Sequence, residues 1–321
     1  MKRQETIKAY APATVSNLGS GFDIIGFPIR DAGDTVLLRK SDTPGMRIAG
    51  ITGYTGVPWL PEKNTATFAL MKFFERLEVD YALEVEIHKG VKPGSGVGSS
   101  ASSSAAALVA ANKWMGSPMS KMQLVELAAE SEAMASGSSH ADNVAPAILG
   151  GITIIRSYEP LDVIRIDPPA ELWTVLLHPQ IEVRTETSRK MLPESVPFKD
   201  AVCQWGNVAG LISGFYRSDY ELIGRSMQDV IVEPVRSRLI PGYYELKETA
   251  LQEGALNCSI SGSGPSVMAL CKGEEKAHAV CKAMEASYET TQVPFQTYVS
   301  PVNPQGAYIV DDDPGMGAAG Q

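Results

Sequence analysis

The sequence predicts an α+β protein that folds into two domains. Its 321 residues are enough to form two hydrophobic cores. Segments with strand-like alternation are mixed with segments of helical periodicity, without the strict βαβ alternation of a parallel sheet. The pair Pro168-Pro169 interrupts this pattern. We therefore place a domain boundary there, with residues 1–168 in the first domain and residues 169–310 in the second.

The first domain contains four predicted strands and three predicted helices. The strands cover residues 6–10, 35–39, 83–87 and 152–156. The helices cover residues 64–79, 99–114 and 120–135. Asn64 stands at the start of the first helix, where an N-cap residue is favoured. The apolar residues of this helix recur at helical spacing: Phe68, Met71, Phe74 and Leu77.

The second domain begins with a buried-looking strand and ends with another. Its predicted strands cover residues 173–177, 258–261, 266–271 and 295–299. Its predicted helices cover residues 187–191, 198–217, 219–227, 243–252 and 277–288. Gly254 is placed to end the fourth of these helices. Residues 311–321 are acidic, glycine-rich and poor in apolar side chains, so we expect a mobile tail.

The composition argues against several classes of partner. Lys and Arg number 28 against 37 Asp and Glu, giving a net charge of −9, so neither nucleic acid nor an anionic membrane is expected as the main partner. No apolar run approaches the ~18 residues of a membrane-spanning helix, and the first residues lack the apolar core of a signal peptide. The cysteines show no zinc-like spacing, which favours a reducing cytoplasm: Cys203, Cys258, Cys271 and Cys281.

The stretch PGSGVGSSASSSAAAL at residues 93–108 is the strongest local signal. Gly94, Gly96 and Gly98 allow positive φ and close approach to a ligand, and the following Ser/Ala run favours a helix. A glycine loop that enters a helix N-terminus presents free N–H groups to a phosphate. The spacing fits neither the Gly-Lys phosphate loop nor the dinucleotide fingerprint. A flexible linker before a packing helix is the alternative, although the apolar continuation favours phosphate binding.

Three motifs together carry a family resemblance. PGSGVGSSAS closely resembles the phosphate loop of the GHMP kinases, with Val97 where that family usually has Leu. APATVSNLGSGFDIIGFPI at residues 11–29 resembles the N-terminal motif of homoserine kinases in particular. ISGSGPSVMAL at residues 260–270 resembles the C-terminal glycine motif of the superfamily. The three occur in the family's order and are spread over nearly the whole chain.

The resemblance implies a fold, a reaction and its cofactors. The fold is an N-terminal domain like domain 2 of ribosomal protein S5 and a ferredoxin-like C-terminal domain, with the active site between them. The reaction is ATP-dependent phosphorylation of the L-homoserine hydroxyl, on the route to threonine, with Mg²⁺. Homodimers are usual in the family. Another GHMP kinase of the mevalonate type, and a non-catalytic binding module of the same fold, remain alternatives.

The resemblance also assigns the ATP and metal sites. Glu132 is the candidate metal carboxylate, with the loop serine Ser100 beside it. The alternative is that Glu132 is one more exposed helix acid, like Glu126 and Glu130. The residues expected at ATP are Asn64, Pro93, Gly94, Ser95, Gly96, Val97, Gly98, Ser99, Ser100, Ala101, Ser102 and Ser103. For Asn64, an N-cap role explains the residue equally well.

Four candidate substrate residues come from two polar motifs. Asn17 and Asp23 suit the ammonium or the hydroxyl of an amino-acid substrate, although both also stand in turn-like sequences. His140 and Asn143 belong to the string HADNVAP, which resembles homoserine kinases rather than the whole superfamily. A lone histidine is more often structural, and Asp142 in the same string suits a helix N-cap.

Two arginine segments suggest a carboxylate in the substrate. We expect Arg189 and Arg236 to bind it, with Thr185 as a neighbouring contact, because the guanidinium fork matches a carboxylate. Arg238 is better explained as a surface residue. Mevalonate is also a carboxylate, so arginine alone does not choose the substrate. The candidate catalytic groups are Ser100, Glu132 and Asp23. The resemblance does not firmly imply that any side chain acts as a general base. The C-terminal glycine motif is expected to support the first glycine loop.

Overall fold

The part of the chain that the structure describes forms two sheets, each covered by helices. The computed structural model describes residues 5–136, 140–183 and 185–310. The tail predicted at residues 311–321 lies outside the described residues. No helix within the described ranges is long and apolar enough to cross a membrane.

The first sheet has seven strands. They are β1 (Thr6–Asn17), β2 (Gly21–Lys40), β3 (Gly45–Gly53), β4 (Ala82–Lys89), β5 (Ile152–Tyr158), β6 (Leu161–Ile166) and β11 (Tyr308–Ile309). The order β11-β1-β2-β4-β3 forms the main path, and β5 pairs with the first half of β2 and with β6. The β3–β4 pair is parallel and the other pairs are antiparallel. Strand β11, which follows the whole second sheet in sequence, therefore returns to the first sheet.

Four helices cover one face of this sheet. They are α1 (Thr65–Leu77), α2 (Ser99–Trp114), α3 (Lys121–Ser136) and α4 (Ala141–Leu149). Helix α2 is so rich in alanine and serine that it is buried almost all round, from Ala101 to Ala111. Small side chains let it lie close to both β1 and the neighbouring helices. The core formed here includes Val36, Leu38, Phe73 and Leu108.

The second sheet has four strands in the order β10-β7-β9-β8, all antiparallel. They are β7 (Leu172–Pro179), β8 (Asn257–Ile260), β9 (Val267–Lys272) and β10 (Phe295–Pro301). This is the strand order of a ferredoxin-like sheet. Helices α9 (Tyr243–Gln252) and α10 (Glu274–Glu289) pack on it around Tyr243, Leu246 and Met284.

A separate core joins the two sheets. It contains Phe27 of β2, Leu176 of β7 and Met268 of β9. The helix α6 (Phe198–Arg217) adds Leu211 and Phe215, and α7 (Tyr220–Ser226) packs beside it. The short helices α5 (Thr185–Lys190) and α8 (Glu233–Arg236) complete this half of the chain. Because this shared core fixes the two sheets against each other, it also fixes the cleft between them.

The periodicity of the sequence predicted most elements, and three helices have the predicted bounds: Ser99–Trp114, Phe198–Arg217 and Tyr243–Gln252. The prediction missed the first half of β2, all of β3, β6 and β11, and helices α4 and α8. The first half of β2 contains glycine, proline and aspartate, which favour turns. Pairing with β1 on one side and β5 on the other keeps it extended despite these residues.

Candidate active site

The glycine loop connects β4 to the N-terminus of α2. Gly94, Gly96 and Gly98 have φ of 73°, 77° and 65°. Gly98 is the residue before the helix, and a Cβ there would lie 2.0 Å from the Thr14 hydroxyl oxygen. Only glycine fits such a position without strain. The loop therefore brings main-chain N–H groups of the α2 N-terminus to an open cleft, an arrangement that suits a phosphate.

The second glycine motif lies against this loop. The Ser261 hydroxyl donates a 2.7 Å hydrogen bond to the Gly96 carbonyl oxygen. The Ser266 hydroxyl donates a 2.6 Å hydrogen bond to the Ser95 carbonyl oxygen. The predicted contact between the two motifs is confirmed. The second domain thus helps to hold the loop of the first.

A histidine that the sequence did not single out stands behind Ser266. His178 Nδ1 lies 3.1 Å from the Ser266 hydroxyl oxygen. Because that hydroxyl donates its hydrogen to Ser95, the histidine must donate from Nδ1. Burial, and secondarily the charge of Lys92, lowers the pKa of His178 to about 4. The neutral ring is therefore kept in one tautomer, and it orients the serine that supports the loop.

A substitution at Gly96 tests whether the second glycine motif supports the glycine loop. A Cβ on Gly96 would lie 2.7 Å from the carbonyl oxygens of Ser261 and Gly264, whereas a Cβ on Gly94 meets nothing within 4 Å. Both residues have positive φ, so Gly94→Ala measures backbone strain alone, which costs about 1 kcal/mol. Gly96→Ala adds a clash with two main-chain oxygens. We expect Gly96→Ala to be clearly less stable in urea unfolding than Gly94→Ala. Equal losses would contradict the proposed contact.

A buried ion pair lies beneath the glycine loop. The Lys89 ammonium contacts Asp34 and donates 2.8 Å hydrogen bonds to the Ser99 carbonyl oxygen and the Ser103 hydroxyl oxygen. Asp34 also accepts hydrogen bonds from the N–H groups of Gly90 and Val91, at 3.0 and 3.2 Å. Neither of these charged residues belongs to a motif that the sequence singles out. Because a buried charge is stable only when paired, this pair fixes β4, β2 and α2 together below the loop.

Ser100 and Glu132 form the candidate metal site. Ser100 is in the first turn of α2, and its hydroxyl donates a 2.9 Å hydrogen bond to Glu132 Oε2 on α3. Glu132 is only 4% exposed, whereas Glu130 is at the surface and pairs with Arg76. The alternative that Glu132 is another exposed helix acid is therefore wrong. Burial raises the pKa of the Glu132 carboxyl to about 7, against the lowering effects of Ser100 and Lys89.

These two oxygen donors fit Mg²⁺ bound together with a nucleotide. Mg²⁺ usually takes one or two protein carboxylates and completes its shell with phosphate oxygens and waters. Within the described ranges, no group of three or more His, Cys, Asp or Glu side chains could hold a metal ion. The Ser100–Glu132 pair lines the same cleft as the glycine loop, so phosphate oxygens would stand beside it.

One cleft of about 530 Å³ contains most of the predicted site residues. From the predicted ATP site it is lined by Asn64, Pro93, Gly94, Ser95, Gly96, Gly98, Ser99, Ser100 and Ser103. From the predicted substrate site it is lined by Asn17, Asp23, His140, Asn143, Thr185, Arg189 and Arg236. The structure does not bring Val97, Ala101 or Ser102 to the cleft. Their side chains are buried, and the Ser102 hydroxyl donates to the Ala11 carbonyl oxygen.

Asn64 makes a hydrogen bond with each end of its side-chain amide. Its Oδ1 accepts from the Ala66 N–H at 3.0 Å, which makes it the N-cap of α1, and its Nδ2 donates to the Pro58 carbonyl oxygen at 2.9 Å. The N-cap interpretation is therefore confirmed. Asn64 also fixes the 56–58 segment, which lines one end of the cleft.

Asn17 and Asp23 combine turn chemistry with a place in the cleft. Both have positive φ, 79° and 60°. Asn17 Oδ1 accepts from the Asp23 N–H at 3.0 Å, and Asn17 Nδ2 donates to the Gly262 carbonyl oxygen at 2.6 Å. The Asp23 carboxylate is left to face the cleft, where Arg189 Nη2 donates to both its oxygens at 2.9 and 2.8 Å. Asn17 thus positions Asp23 and connects it to the second domain.

The two predicted arginines converge on one aromatic ring. The guanidinium carbon atoms of Arg189 and Arg236 lie 5.8 and 4.8 Å from the centre of the Phe22 ring. Arg236 is 3% exposed, and its Nη1 donates to the Gly262 carbonyl oxygen at 3.1 Å. Its Nε and that of Arg189 are buried and have no hydrogen-bond partner among the described residues. Burial lowers the pKa of Arg236 to about 10. Two cations with unused donors favour an anionic ligand.

The start of α4 supplies the rest of this pocket. His140 is the residue before the helix, and burial lowers its pKa. Asp142, in the first turn, is 1% exposed, and burial together with the charge of Asp23 raises its pKa to about 7. Asp142 is not the N-cap that the sequence suggested; it lines the cleft instead. Asn143 Nδ2 donates to the Ser16 hydroxyl at 2.9 Å, and its Oδ1 accepts from the Thr14 hydroxyl at 3.0 Å.

Thr185 begins α5 and lies beside the second glycine motif. Its hydroxyl oxygen is 3.3 Å from that of Ser263, and the Ser188 hydroxyl donates to the Ser263 carbonyl oxygen at 3.1 Å. The second glycine motif therefore holds helix α5 in place, and α5 carries Arg189. Arg238, two residues after Arg236, is exposed, as expected for a surface residue.

Known proteins match the chain over nearly its whole length. The GHMP kinases N terminal domain matches residues 64–151, and the GHMP kinases C terminal domain matches residues 211–290. A homoserine kinase of Chlorobium phaeobacteroides is 47% identical over 95% of this chain and 100% of its own length. One from Chlorobaculum tepidum is 46% identical over 95% and 98%. A crystal structure of homoserine kinase from Cytophaga hutchinsonii, 46% identical, covers 97% of this chain and 99% of its own with a TM-score of 0.94. The chain belongs to the GHMP kinases and, among them, to the homoserine kinase family.

Proposed function

We propose that this member of the family transfers the γ-phosphoryl group of ATP to the side-chain hydroxyl of L-homoserine. The products are ADP and O-phospho-L-homoserine, on the route to threonine. One observation carries the proposal: the Asp23–Arg189–Arg236 cluster and the Ser100–Glu132 pair line the same cleft. The cluster offers one anion and two cations to a zwitterionic amino acid, and the pair offers oxygen donors for a metal beside the glycine loop.

ATP would lie along the first domain. Its phosphates would meet the N–H groups of residues 94–100, at the positive end of α2. Its base would lie toward the end of the cleft formed by residues 56–58 and Asn64. The side-chain amide of Asn64 accepts from Ala66 and donates to Pro58, so it holds the segment that shapes this end of the cleft.

Ser100 and Glu132 would hold Mg²⁺. The bound metal would neutralise charge on the phosphate oxygens during transfer. Glu132 is buried and accepts a hydrogen bond from Ser100, so the carboxylate is held at the cleft before the nucleotide binds. Such preorganisation favours the transition state because little rearrangement is needed during the reaction.

L-Homoserine would bind by exchanging partners with the existing ion pair. In the structure, Arg189 is neutralised by Asp23. The ammonium group of the substrate would bind the Asp23 carboxylate. The carboxylate of the substrate would bind Arg189 and the unused Nε of Arg236. The charges in the pocket then remain balanced. His140, Asn143 and Thr185 would complete the walls and aim the hydroxyl at the glycine loop.

The reaction needs no dedicated general base. The hydroxyl oxygen forms the new O–P bond, the bond from the γ-phosphorus to the β,γ-bridging oxygen breaks, and the hydroxyl proton leaves with the phosphate or the solvent. Positioning and electrostatic stabilisation account for most catalysis in phosphoryl transfer. We therefore assign Asp23 to binding and aligning the acceptor, and Ser100 and Glu132 to the metal and the phosphates.

ADP formation with single acceptors tests this function. We expect ADP release from Mg-ATP with L-homoserine, and little with mevalonate, galactose, L-serine or L-threonine. Preference for another acceptor would retain the phosphoryl transfer and reject the substrate. Nucleotide binding without ADP release for any acceptor would instead support a non-catalytic binding module.

We also propose the remaining organisation of the protein. The chain would divide near residue 168 into two domains, with β11 returning to the first sheet. It would act as a homodimer in the cytoplasm, without nucleic acid or a membrane as partner. The net charge of −9 supports the proposal that neither nucleic acid nor a membrane is a partner, since it repels both polyanions and anionic lipid.

A further inference from the structure

One polar side chain lies among the apolar residues on the inner face of helix α6. The buried residues of this helix are Gln204, Leu211, Gly214 and Phe215. Leu211 and Phe215 belong to the core between the two sheets, and Gln204 is 8% exposed. Burying a side-chain amide costs free energy unless its polar atoms are hydrogen-bonded. The hydrogen bonds of Gln204 therefore identify the parts of the chain that this amide holds.

The amide of Gln204 contacts two separate segments of the chain. Its Nε2 donates 3.1 Å hydrogen bonds to the Ser20 carbonyl oxygen and to Asp229 Oδ1. Its Oε1 accepts a hydrogen bond from the Val230 N–H at 3.2 Å. Because Ser20 and Asp229 supply acceptors and Val230 supplies a donor, the amide fits in one orientation only. Gln204 is thus a bridge between the segment that contains Ser20 and the segment that contains Asp229.

The first segment is the turn between β1 and β2, residues 17–23, which we call the Asp23 turn. Ser20 lies in the middle of this turn, three residues before Asp23. The Ser20 hydroxyl donates a 2.8 Å hydrogen bond to the Ser226 carbonyl oxygen at the end of α7. This contact holds the Asp23 turn against α7, and the Gln204 amide connects the turn onward to α8.

The second segment leads into helix α8, which carries Arg236. The Asp229 carboxylate accepts 2.9 Å hydrogen bonds from three main-chain N–H groups at the start of this helix, those of Ile231, Val232 and Glu233. N–H groups at the start of a helix have no partner within the helix. Asp229 therefore fixes the start of α8, and the Gln204 amide fixes Asp229 relative to the Asp23 turn.

The Asp23 turn and α8 meet a second time, at the cleft. Asn17 Nδ2 on the turn and Arg236 Nη1 on the helix both donate to the Gly262 carbonyl oxygen, at 2.6 and 3.1 Å. The two segments are therefore connected at the cleft through Gly262 and in the core through Gln204. Two separate connections fix both the distance and the angle between two segments, whereas one connection would act as a hinge.

We propose that Gln204 is a positioning residue that fixes the spacing between Asp23 and Arg236 and thereby makes the pocket select the handedness of the acceptor. The proposal rests on the proposed function, in which Asp23 binds the ammonium group and Arg236 the carboxylate of an amino acid. These two groups share one carbon atom, so the spacing of their partners determines how that carbon is oriented. The same contacts that aim the hydroxyl of L-homoserine at the glycine loop would direct that of D-homoserine elsewhere.

Gln204→Met tests the bridge. Methionine has a similar volume and no hydrogen to donate, so it fills the site and releases Ser20 from Asp229. The measurement is kcat and KM for L-homoserine, D-homoserine and ATP, and thermal unfolding checks that the variant folds. We expect KM for L-homoserine to rise by about 10–100-fold, because a misplacement of ~1 Å can cost about 10²-fold. The ratio of kcat/KM for L- over D-homoserine should fall by about tenfold, while KM for ATP changes by less than about twofold.

Asn207→Leu is the matched control. Asn207 is on the same helix, and its Nδ2 donates a 2.8 Å hydrogen bond to the Gln228 carbonyl oxygen, next to Asp229 in the chain. This bond attaches α6 to the same segment without involving the Asp23 turn, so we expect the L/D ratio to change by less than about twofold. An equal loss of discrimination in Asn207→Leu would overturn the proposal, as would an equal rise of KM for ATP and for L-homoserine in Gln204→Met.

Gln204→Glu answers the same question if the methionine variant does not fold. Glutamate keeps the length of the side chain and can still accept from the Val230 N–H, but its carboxyl has at most one hydrogen to donate. It can therefore keep Ser20 or Asp229 as a partner and not both, so the L/D ratio should again fall. A folded Gln204 variant that prefers L-homoserine as strongly as wild type would overturn the role of Gln204 and leave the proposed function intact. A wild-type protein that phosphorylates no amino acid would reject the proposed function and this inference with it.

Discussion

Replacing Glu132 by glutamine is expected to reduce kcat for ADP formation by about 10³-fold, or ~4 kcal/mol in the activation barrier. Glutamine keeps the shape of the side chain and can still accept from Ser100, so the loss reports the missing charge at the metal and phosphates. The measurement is steady-state ADP release with saturating L-homoserine and a titration of Mg²⁺.

Glu130→Gln is the matched control. It removes the same charge two residues away on α3, at an exposed site paired with Arg76. Exposed ion pairs contribute ~0–1 kcal/mol, so we expect kcat to change by less than about twofold. Similar losses in the two variants would mean that Glu132 acts through the overall charge of the helix rather than at the metal.

Replacing Glu132 by glutamine should also change how the stability of the protein depends on pH. Burial raises the pKa of Glu132 to about 7 in the folded protein, above ~4.3 in the unfolded chain. Folding therefore takes up a proton between these values, and the stability that Glu132 contributes falls as pH rises through this window. Without metal and nucleotide, Glu132→Gln should gain in Tm relative to wild type from about pH 5 to pH 8. A Tm difference between Glu132→Gln and wild type that stays constant over this pH range would contradict the raised pKa of Glu132.

Replacing Arg236 by methionine should reduce kcat/KM for L-homoserine by about 10²–10³-fold, because hydrogen bonds to charged groups contribute ~1.5–3 kcal/mol each. Most of the effect should be on KM, since the carboxylate is bound equally before and during transfer. Methionine fills a similar volume, and burial already disfavours the charged arginine there. The fold should therefore remain intact, which thermal unfolding can check.

An acceptor without a carboxylate makes this test specific. Aminopropanol keeps the ammonium and the hydroxyl of L-homoserine, so wild type should use it poorly and Arg236→Met should use it equally poorly. Arg238→Met, an exposed arginine two residues away, should behave as wild type with both acceptors. A similar loss for both acceptors in Arg236→Met would show that Arg236 organises the pocket rather than binding the carboxylate.

The elements most accurately predicted from sequence are those whose own periodicity determines them. Helix α2 has the predicted bounds because glycines end the loop before it and alanines continue the helix after it. The long strand β2 was missed in its first half, since its turn-forming residues are kept extended by pairing with β1 and β5. The β1 partners are close in sequence, but the β5 partners lie more than a hundred positions away, and local sequence cannot report that pairing.

The candidate site was found mainly through motifs, and the structure added residues that the motifs did not single out. Lys89, Asp34 and His178 carry no local signal, because their roles depend on burial. Asp142 belongs to the HADNVAP string, but its sequence suggested an N-cap rather than a place in the cleft. Lys89 and Asp34 are ordinary charged residues in sequence and become a closed ion pair only below the glycine loop. Val97, Ala101 and Ser102 show the converse, since they belong to the motif but face the core.

By itself, the sequence determined the fold class, the glycine loop with its helix, the family resemblance and the residue types of the site. Each of these depends on neighbours along the chain or on a recognisable string. The tertiary structure alone decided that Glu132 is buried, that Asp23 neutralises Arg189, and that α6 keeps apolar side chains exposed. The physical reason is that burial and charge pairing are properties of distance in space. Until the helices pack on the sheets and the two sheets pack against each other, no spacing in the sequence sets those distances.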